Sequence, residues 1–341
     1  MSAVTQADVA REAGVSRGLV SLAMSGNPNV AEDTRQRILE AANKLGYTRN
    51  LGAAMLAAKT SSVVGIVLPN LENPFFESVV SAIQRVADTR HMLALTATGS
   101  SSARRERQVI ESFKGLRASG VVIVSPTLSN RTLTALAKEV PLCLVGTPAA
   151  GGSSMGVHID EIFASRLAIN HLRERGFKNL VFFSVPQERA GDSASRERVA
   201  AFKEVCEEEG FEPRVEWLYD PQDIMRTIRR LRVEHGETGE KLGIITHNDQ
   251  LGINVITSIR ALGLTPGEDL GVVSFDNTFY AMRPEYDLTS IDQDVNKMAQ
   301  CVFDLFEQDE AGKPLDVVVQ ARLVVRGSSG GADSAEKTGT N

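Results

Sequence analysis

Cysteine is scarce in this 341-residue sequence, and Cys143, Cys206 and Cys301 are odd in number, far apart and set in apolar segments. That excludes a disulfide framework or a cysteine metal site and leaves buried free thiols as the expectation. Histidine is thin as well. His91, His158, His171, His235 and His247 are scattered without ligand or triad spacing, so no metal site and no histidine-activated nucleophile is expected. No apolar run approaches membrane-spanning length, and the start Met-Ser-Ala-Val-Thr-Gln-Ala-Asp lacks the basic and apolar parts of a signal peptide. A cytoplasmic location with no membrane partner is therefore expected. G-x-G-x-x-G, G-x-x-x-x-G-K-[ST] and H-E-x-x-H are all missing. Gly152-Ser153-Ser154-Met155-Gly156 fits G-x-S-x-G but falls in a small-residue loop before a strand, not on a strand-to-helix turn. Neither enzymatic activity nor a cofactor is expected.

What the chain does have is apolar content, 42% hydrophobic, enough for a small domain beside one or two larger ones. Charge is partitioned along it. Residues 1–60 hold seven Lys/Arg against five Asp/Glu, a net of +2, whereas the remainder holds 30 against 38, a net of −8. A mildly basic head on an acidic body focuses phosphate contact at one end. Glu207-Glu208-Glu209 reads as a solvated helix end.

The head carries the sharpest local pattern. Thr5 can cap a helix in which Val9, Ala10 and Ala13 share a face, and Gly14 ends it. Ser16 can cap a second helix with Val20, Ala23 and Met24 on its buried side, stopped by Ser25-Gly26-Asn27-Pro28. A third amphipathic segment from about Glu32 to Leu45 places Ile38, Leu39, Ala42 and Leu45 on one side, with Tyr47 beneath. Helix, turn, helix is the shape that lays a helix in the DNA major groove, and it is also the shape of a plain three-helix bundle.

From Ser61 onward, β-rich runs alternate with amphipathic helices: Val63 to Leu68, Leu93 to Thr98, Val121 to Ser125, Cys143 to Val145, Leu180 to Val185, Leu242 to Thr246 and Leu270 to Phe275. This pattern predicts parallel sheets covered by helices. The tail from Ser328 to Asn341, rich in Ser, Gly and Thr, is expected to be disordered. Residues 50–60 are too few for a helix stable by itself, and Gly52 costs about 1 kcal/mol relative to alanine. A flexible linker and a helix that folds only on a partner both fit.

Asp8-Val9-Ala10, Ala13-Gly14-Val15-Ser16, Val20-Ser21, Thr34-Arg35 and Leu45-Gly46-Tyr47 together resemble the headpiece of the lactose-repressor (LacI/GalR-type) family of bacterial transcriptional regulators. The resemblance continues through Gly65-Ile66-Val67, Asn73-Pro74-Phe75-Phe76, His171-Leu172, Asn248-Asp249, Ser274-Phe275-Asp276-Asn277, Leu288-Thr289-Ser290-Ile291-Asp292-Gln293 and Leu323-Val324-Val325-Arg326. It implies a small all-α helix-turn-helix headpiece (1–49), a hinge helix or linker (50–60), and an α/β effector-binding and dimerisation domain (61–327). That domain would comprise two Rossmann-like subdomains, as in periplasmic sugar-binding proteins: 61–160 plus 293–327, and 161–292. It further implies a homodimer gripping near-palindromic operator DNA, with Leu56 of paired hinge helices wedged into the central base step.

In the recognition helix, Arg17 and Gly18 are early positions with Leu22 a turn later; Arg17 either pairs with a guanine or rests on a phosphate. Ser16, Ser21, Ser25 and Asn27 are phosphate-ligand candidates, and Thr5 and Asn50 complete the DNA-contact set. The family more often has Thr at Leu19 and Arg at Leu22, so the operator sequence does not carry over. For the cleft, Asp276 stands at a strand's carboxyl end, where open α/β sheets bind ligands, and a carboxylate accepting two hydroxyl hydrogen bonds suits a sugar or polyol. Arg198 and Asn248 resemble the family's cleft arginine and amide, Phe75 and Phe76 offer an apolar wall, and Asp160 is a further candidate. Trp217 or Tyr219 is a stacking candidate. Each has a plain alternative: a cap for Asp276, a solvated charge for Arg198, core for the Phe pair. After Leu144-Val145 the family often has an acid, but Gly146-Thr147 stand here. The expected function is a DNA-binding regulator, most often a repressor in this family, controlled by a sugar or cyclic polyol, with a purine or phosphorylated metabolite as second choice; a sugar-binding module without regulatory DNA contact is the alternative.

Overall fold

The computed structural model describes residues 4–24, 27–47, 62–185, 193–218, 220–236, 241–308 and 315–330. The hinge segment with Asn50 and Leu56, and also Ser25 and Tyr219, lie outside the described residues. The chain divides into two units, Met1–Ser61 and Ser62–Asn341.

In the first unit, α1 (Gln6–Ala13), α2 (Arg17–Met24) and α3 (Glu32–Leu45) close around Val9, Ala10, Val20, Ala23, Val30, Ile38, Ala41 and Ala42, with Tyr47 packed against them. The turns follow from local chemistry. Asp8 accepts hydrogen bonds from the Thr5 backbone (2.9 Å) and hydroxyl (2.7 Å), fixing the start of α1. Gly14 and Gly46 end α1 and α3 in the left-handed conformation, with φ of 66° and 65°. Ser16 Oγ accepts from Leu19 N at 3.2 Å, capping α2. Leu39 departs from the expected pattern. It is 38% exposed, and Ala41 takes the buried position, because a small side chain lets α3 approach its neighbours closely.

The second unit holds two six-stranded sheets. The first runs β11-β5-β4-β3-β1-β2, from β1 (Val63–Leu68), β2 (Leu93–Thr98), β3 (Gly120–Val124), β4 (Leu142–Val145), β5 (Met155–Ile159) and β11 (Asp316–Val319), all parallel. The second runs β12-β10-β9-β8-β6-β7, from β6 (Phe177–Ser184), β7 (Val215–Trp217), β8 (Lys241–Thr246), β9 (Leu270–Phe275), β10 (Thr289–Asp292) and β12 (Arg322–Val324); only the β10–β12 pair is antiparallel. Helices α4 (Pro74–Thr89), α5 (Ala103–Gly115), α6 (Asn130–Leu136) and α11 (Val295–Phe306) cover the first sheet. Helices α7 (Glu161–Glu174), α8 (Ser193–Glu208), α9 (Pro221–Gly236) and α10 (Asp249–Ala261) cover the second. The central strands read as unbroken apolar runs because both faces are covered: Val64, Ile66 and Leu68 join one core cluster, Val67 another.

Two boundary expectations are corrected. Residues 293–327 do not all belong with the first sheet: α11 and β11 do, but the chain crosses again near residue 320 and β12 pairs with β10 in the second. The tail does not begin at 328 either. Gly327–Ser329 form a turn of 3-10 helix in which the Ser328 hydroxyl donates to Val272 O (2.7 Å) and Ser329 Oγ lies 2.7 Å from His171 Nε2. Buried hydroxyl partners hold a Ser/Gly segment whose composition alone reads as disorder.

Gly65 in β1 lies against the Phe113 ring, where an added Cβ would stand 2.6 Å from ring carbons. Gly65→Ala is expected to cost about 1–3 kcal/mol by overpacking, seen as a lowered urea midpoint with unchanged slope.

Candidate functional site

The first candidate surface is the outer edge of α2. Arg17, Gly18, Ser21 and Leu22 are exposed along it, with Ser16 at its start, while Val20 and Ala23 face the core. Leu22 is an apolar side chain 43% exposed on this edge. Arg35 keeps the helix in place: its guanidinium donates to Ala23 O (3.0 Å) and Asn27 O (2.6 Å), satisfying carbonyls at and beyond the α2 terminus. Thr5 serves as a cap, and Asn27 Oδ1 accepts from Asn29 N at 2.9 Å.

The second is a small cavity of about 40 Å³ in the larger unit. Its walls come from the carboxyl ends of strands in both sheets. Asn73, Phe75 and Phe76 follow β1 and Ser125 follows β3, at the point where the order of the first sheet reverses. From the second sheet, His247 and Asn248 follow β8, Asp276 follows β9 and Gln293 follows β10, while Arg198 projects from α8. Local backbone strain marks the same ends: Ser125, Asp276 and Asn277 have φ of 48°, 104° and 46°. Gly146, at φ 83°, occupies the position where an acid was expected by resemblance.

Asp276 is buried. Its Oδ1 accepts from Gln293 Nε2 at 2.7 Å and lies 3.8 Å from Arg198 Nη1; Oδ2 faces Asn73 Nδ2 at 3.4 Å. Arg198 is buried too: Nε and Nη2 donate to the two Glu161 oxygens at 2.9 and 2.8 Å, Nη1 donates to His247 O at 2.6 Å, and the guanidinium lies 4.1 Å from the Phe275 ring centroid. Burial raises the Asp276 carboxyl to about 7, against the pull of Arg198, with Asp249 adding to the rise. Asp249, behind it, is also raised by burial while accepting from Thr278 and Ser290. His247 is held neutral, lowered to about 3 by burial and by Arg198, and its Nδ1 has no hydrogen-bond partner among the described residues. Across the cleft, the Thr147 hydroxyl donates to Glu197 at 3.0 Å, and burial raises that carboxyl.

The structure brings Phe75, Phe76, Arg198, Asn248 and Asp276 to one cavity. Asp160 is not among them. It is exposed and caps α7, accepting from Phe163 N at 2.9 Å, while the adjacent Glu161 turns to Arg198. Trp217 is exposed at the end of the edge strand β7 and does not line the cavity. Sequence reasoning missed Asn73, Ser125, Glu161, His247 and Gln293. Of these, Asn73 and Gln293 stood in motifs that carry the family resemblance; the rest carry no local signal. The three cysteines are free and buried as expected, and burial raises each thiol.

Two outcomes follow. Arg17→Ala is expected to relax base preference at one position of each half-site by about 1–3 kcal/mol, read by selection from randomised DNA; a uniform loss over all sequences makes Arg17 a phosphate ligand instead. For Asp276, the folded protein keeps a proton that the unfolded chain releases near pH 4, so this group's contribution to stability falls as pH rises from about 4 to about 7. His247 acts oppositely, since the unfolded chain gains a proton below about 6.5 that the folded protein refuses. Asp276→Asn should therefore gain stability relative to wild type across pH 4–7, by on the order of 1 kcal/mol, in urea denaturation at stepped pH; a constant difference would refute it.

Comparison with known proteins bears on both sites. Residues 5–50 match the family described as bacterial regulatory proteins, lacI family, and residues 169–329 match the periplasmic binding protein-like domain. Catabolite control protein A of Priestia megaterium is 29% identical over 295 residues, covering 85% of this chain and 87% of that protein. The HTH-type transcriptional regulator GalS of Salmonella typhimurium is 25% identical over 311 residues, 91% of each. The lac repressor dimer bound to operator and the anti-inducer ONPF superposes with a TM-score of 0.78 at 23% identity, over 96% of this chain and 99% of that one, a likeness of fold. The chain belongs to the lacI family of bacterial regulatory proteins, and is a DNA-binding transcription regulator rather than an enzyme.

Proposed function

We propose that this chain works as a homodimer that represses transcription from a near-palindromic operator, and that a sugar or cyclic polyol bound in the cleft of the larger unit sets its operator affinity. The observation that carries the reading is the convergence of strand ends from both sheets on one cavity rich in neutral hydrogen-bonding groups around buried Asp276. Hydroxyls of a polyol match such a set, and Phe75 and Phe76 supply an apolar surface for ring carbons. A solved neighbour of the same fold, with a TM-score of 0.64 and 24% identity over 95% of this chain and 99% of that one, is the transcriptional regulator CelR in complex with cellobiose.

Two copies fit both the DNA and the protein surface. One mildly basic head binds weakly, and two acting on a symmetric site multiply their effect. Leu71, Phe279, Tyr280 and Met282 are exposed at 76, 64, 41 and 52%, apolar surface suited to burial against a second copy. No described helix is long and apolar enough to cross a membrane, and a cytoplasmic site of action follows from the proposed target.

The test is capture of sheared genomic DNA on the purified protein at physiological salt, without and with a metabolite extract, followed by sequencing. An enriched palindrome is expected, and Asp276→Ala should retain operator binding while its response to the extract is lost. A protein lacking residues 1–61 should lose the operator and keep the ligand. Absence of enrichment under both conditions would leave a sugar-binding module without regulatory DNA contact.

A further inference from the structure

Arg198 is the one arginine or lysine lining the cleft among the described residues, and His247 beside it is neutral. A cleft arginine ordinarily serves a ligand carboxylate or phosphate through two parallel N–H donors. Here that two-point face is taken by Glu161, at 2.9 and 2.8 Å, with the side chains only 7% and 12% exposed. Nη1 holds His247 O, and the plane of the group rests on Phe275.

We propose that Glu161 is a specificity-determining residue: it occupies the anion-binding face of Arg198 and closes the cleft to carboxylated and phosphorylated ligands, leaving neutral polyhydroxyl ones. The inference rests on the cleft being the effector site and narrows its ligand class. An entering anion has to expel a half-enclosed carboxylate from Arg198 and then lie near Asp276, which stands 3.8 Å from the same guanidinium. Glu197, bonded to Thr147 beside Gly146, adds a further carboxylate, and among the described residues no second cation lines the cavity to offset it. A neutral hydroxyl meets no such opposition, since it can donate to Asp276 and exchange hydrogen bonds with Asn73, Asn248 and Ser125. Glu161 and Arg198 stand on α7 and α8, which pack together over the second sheet. Their pairing does not depend on contact with the first subdomain, so the block persists whether the cleft is open or closed.

The experiment is thermal melting of the full-length protein against inorganic phosphate at constant ionic strength, for wild type, Glu161→Gln and Glu161→Gln/Arg198→Met. Wild type is expected to show no saturable rise in Tm, Glu161→Gln a saturable rise of several degrees, and the double variant none. A saturable rise in wild type that Arg198→Met abolishes overturns the proposal. So does a folded Glu161→Gln with no gain, or an equal rise in all three proteins. Should Glu161→Gln fail to fold by circular dichroism, Glu161→Asp replaces it: one methylene shorter, its carboxylate is drawn back from the guanidinium and holds it less closely, and it must show a smaller but saturable rise for the proposal to stand. Loss of the effector reading itself would appear separately, as an operator response to metabolite extract that survives Asp276→Ala.

Discussion

A guanidinium held out of water organises the larger unit. Burying a charge is costly unless it is paired and hydrogen-bonded, and Arg198 meets that requirement with groups from three elements: Glu161 at the start of α7, the His247 carbonyl after β8, and Asp276 after β9. Each must be placed for the others to be tolerable. Because the guanidinium is already paired, Asp276 lacks a full counter-ion, so burial dominates its proton affinity and it leans on neutral donors such as Gln293. Among the described residues the cleft is thus polar, with its one lining arginine already paired, a condition that favours hydroxyl-bearing ligands over anions.

The path of the chain explains how such a site connects to the rest of the fold. Backbone passes between the two sheets after β5, after β10 and between β11 and β12. At these crossings Arg322 donates to Asp292 at 2.8 Å, and Asp294 adopts φ 51° while capping α11 at Lys297 N. Gln293 lies between those two residues and reaches Asp276. A ligand that competes for the Asp276 carboxylate therefore acts on a residue of the crossing itself, which is a physical route from cleft occupancy to the relative placement of the two sheets. The headpiece uses different means: short helices, two left-handed glycines and an arginine that closes the end of α2.

How much of this was legible in sequence depended on how local each signal was. Gly14, Ser16 and the spacing of Val9, Val20 and Ile38 act within a few residues, so the three helices could be read directly, and apolar runs such as Val63–Leu68 showed a sheet buried on both faces. Asp276, Arg198 and Asn248 were found because motifs or resemblance marked them. Glu161 was not, and its neighbour Asp160 was named instead: along the chain both are acids at a helix start, and only the helix's rotation decides which one caps and which one points to Arg198. The edge strands β7, β11 and β12 are three or four residues long and only partly buried, too short for periodicity to separate them from loops.

By itself the sequence determined what local chemistry controls: the helix-turn-helix head, the alternating α/β order, and the family to which these belong. The tertiary structure alone decided what depends on residues far apart in the chain. It set the pairing of Glu161 with Arg198, the reach of Gln293 to Asp276, the return of the chain to the second sheet at β12, and the anchoring of Ser328 and Ser329. Those contacts close over separations of up to about 158 residues, as between His171 and Ser329, and the pairing of the buried polar groups that make them carries no mark in the sequence until the sheets form and water is excluded.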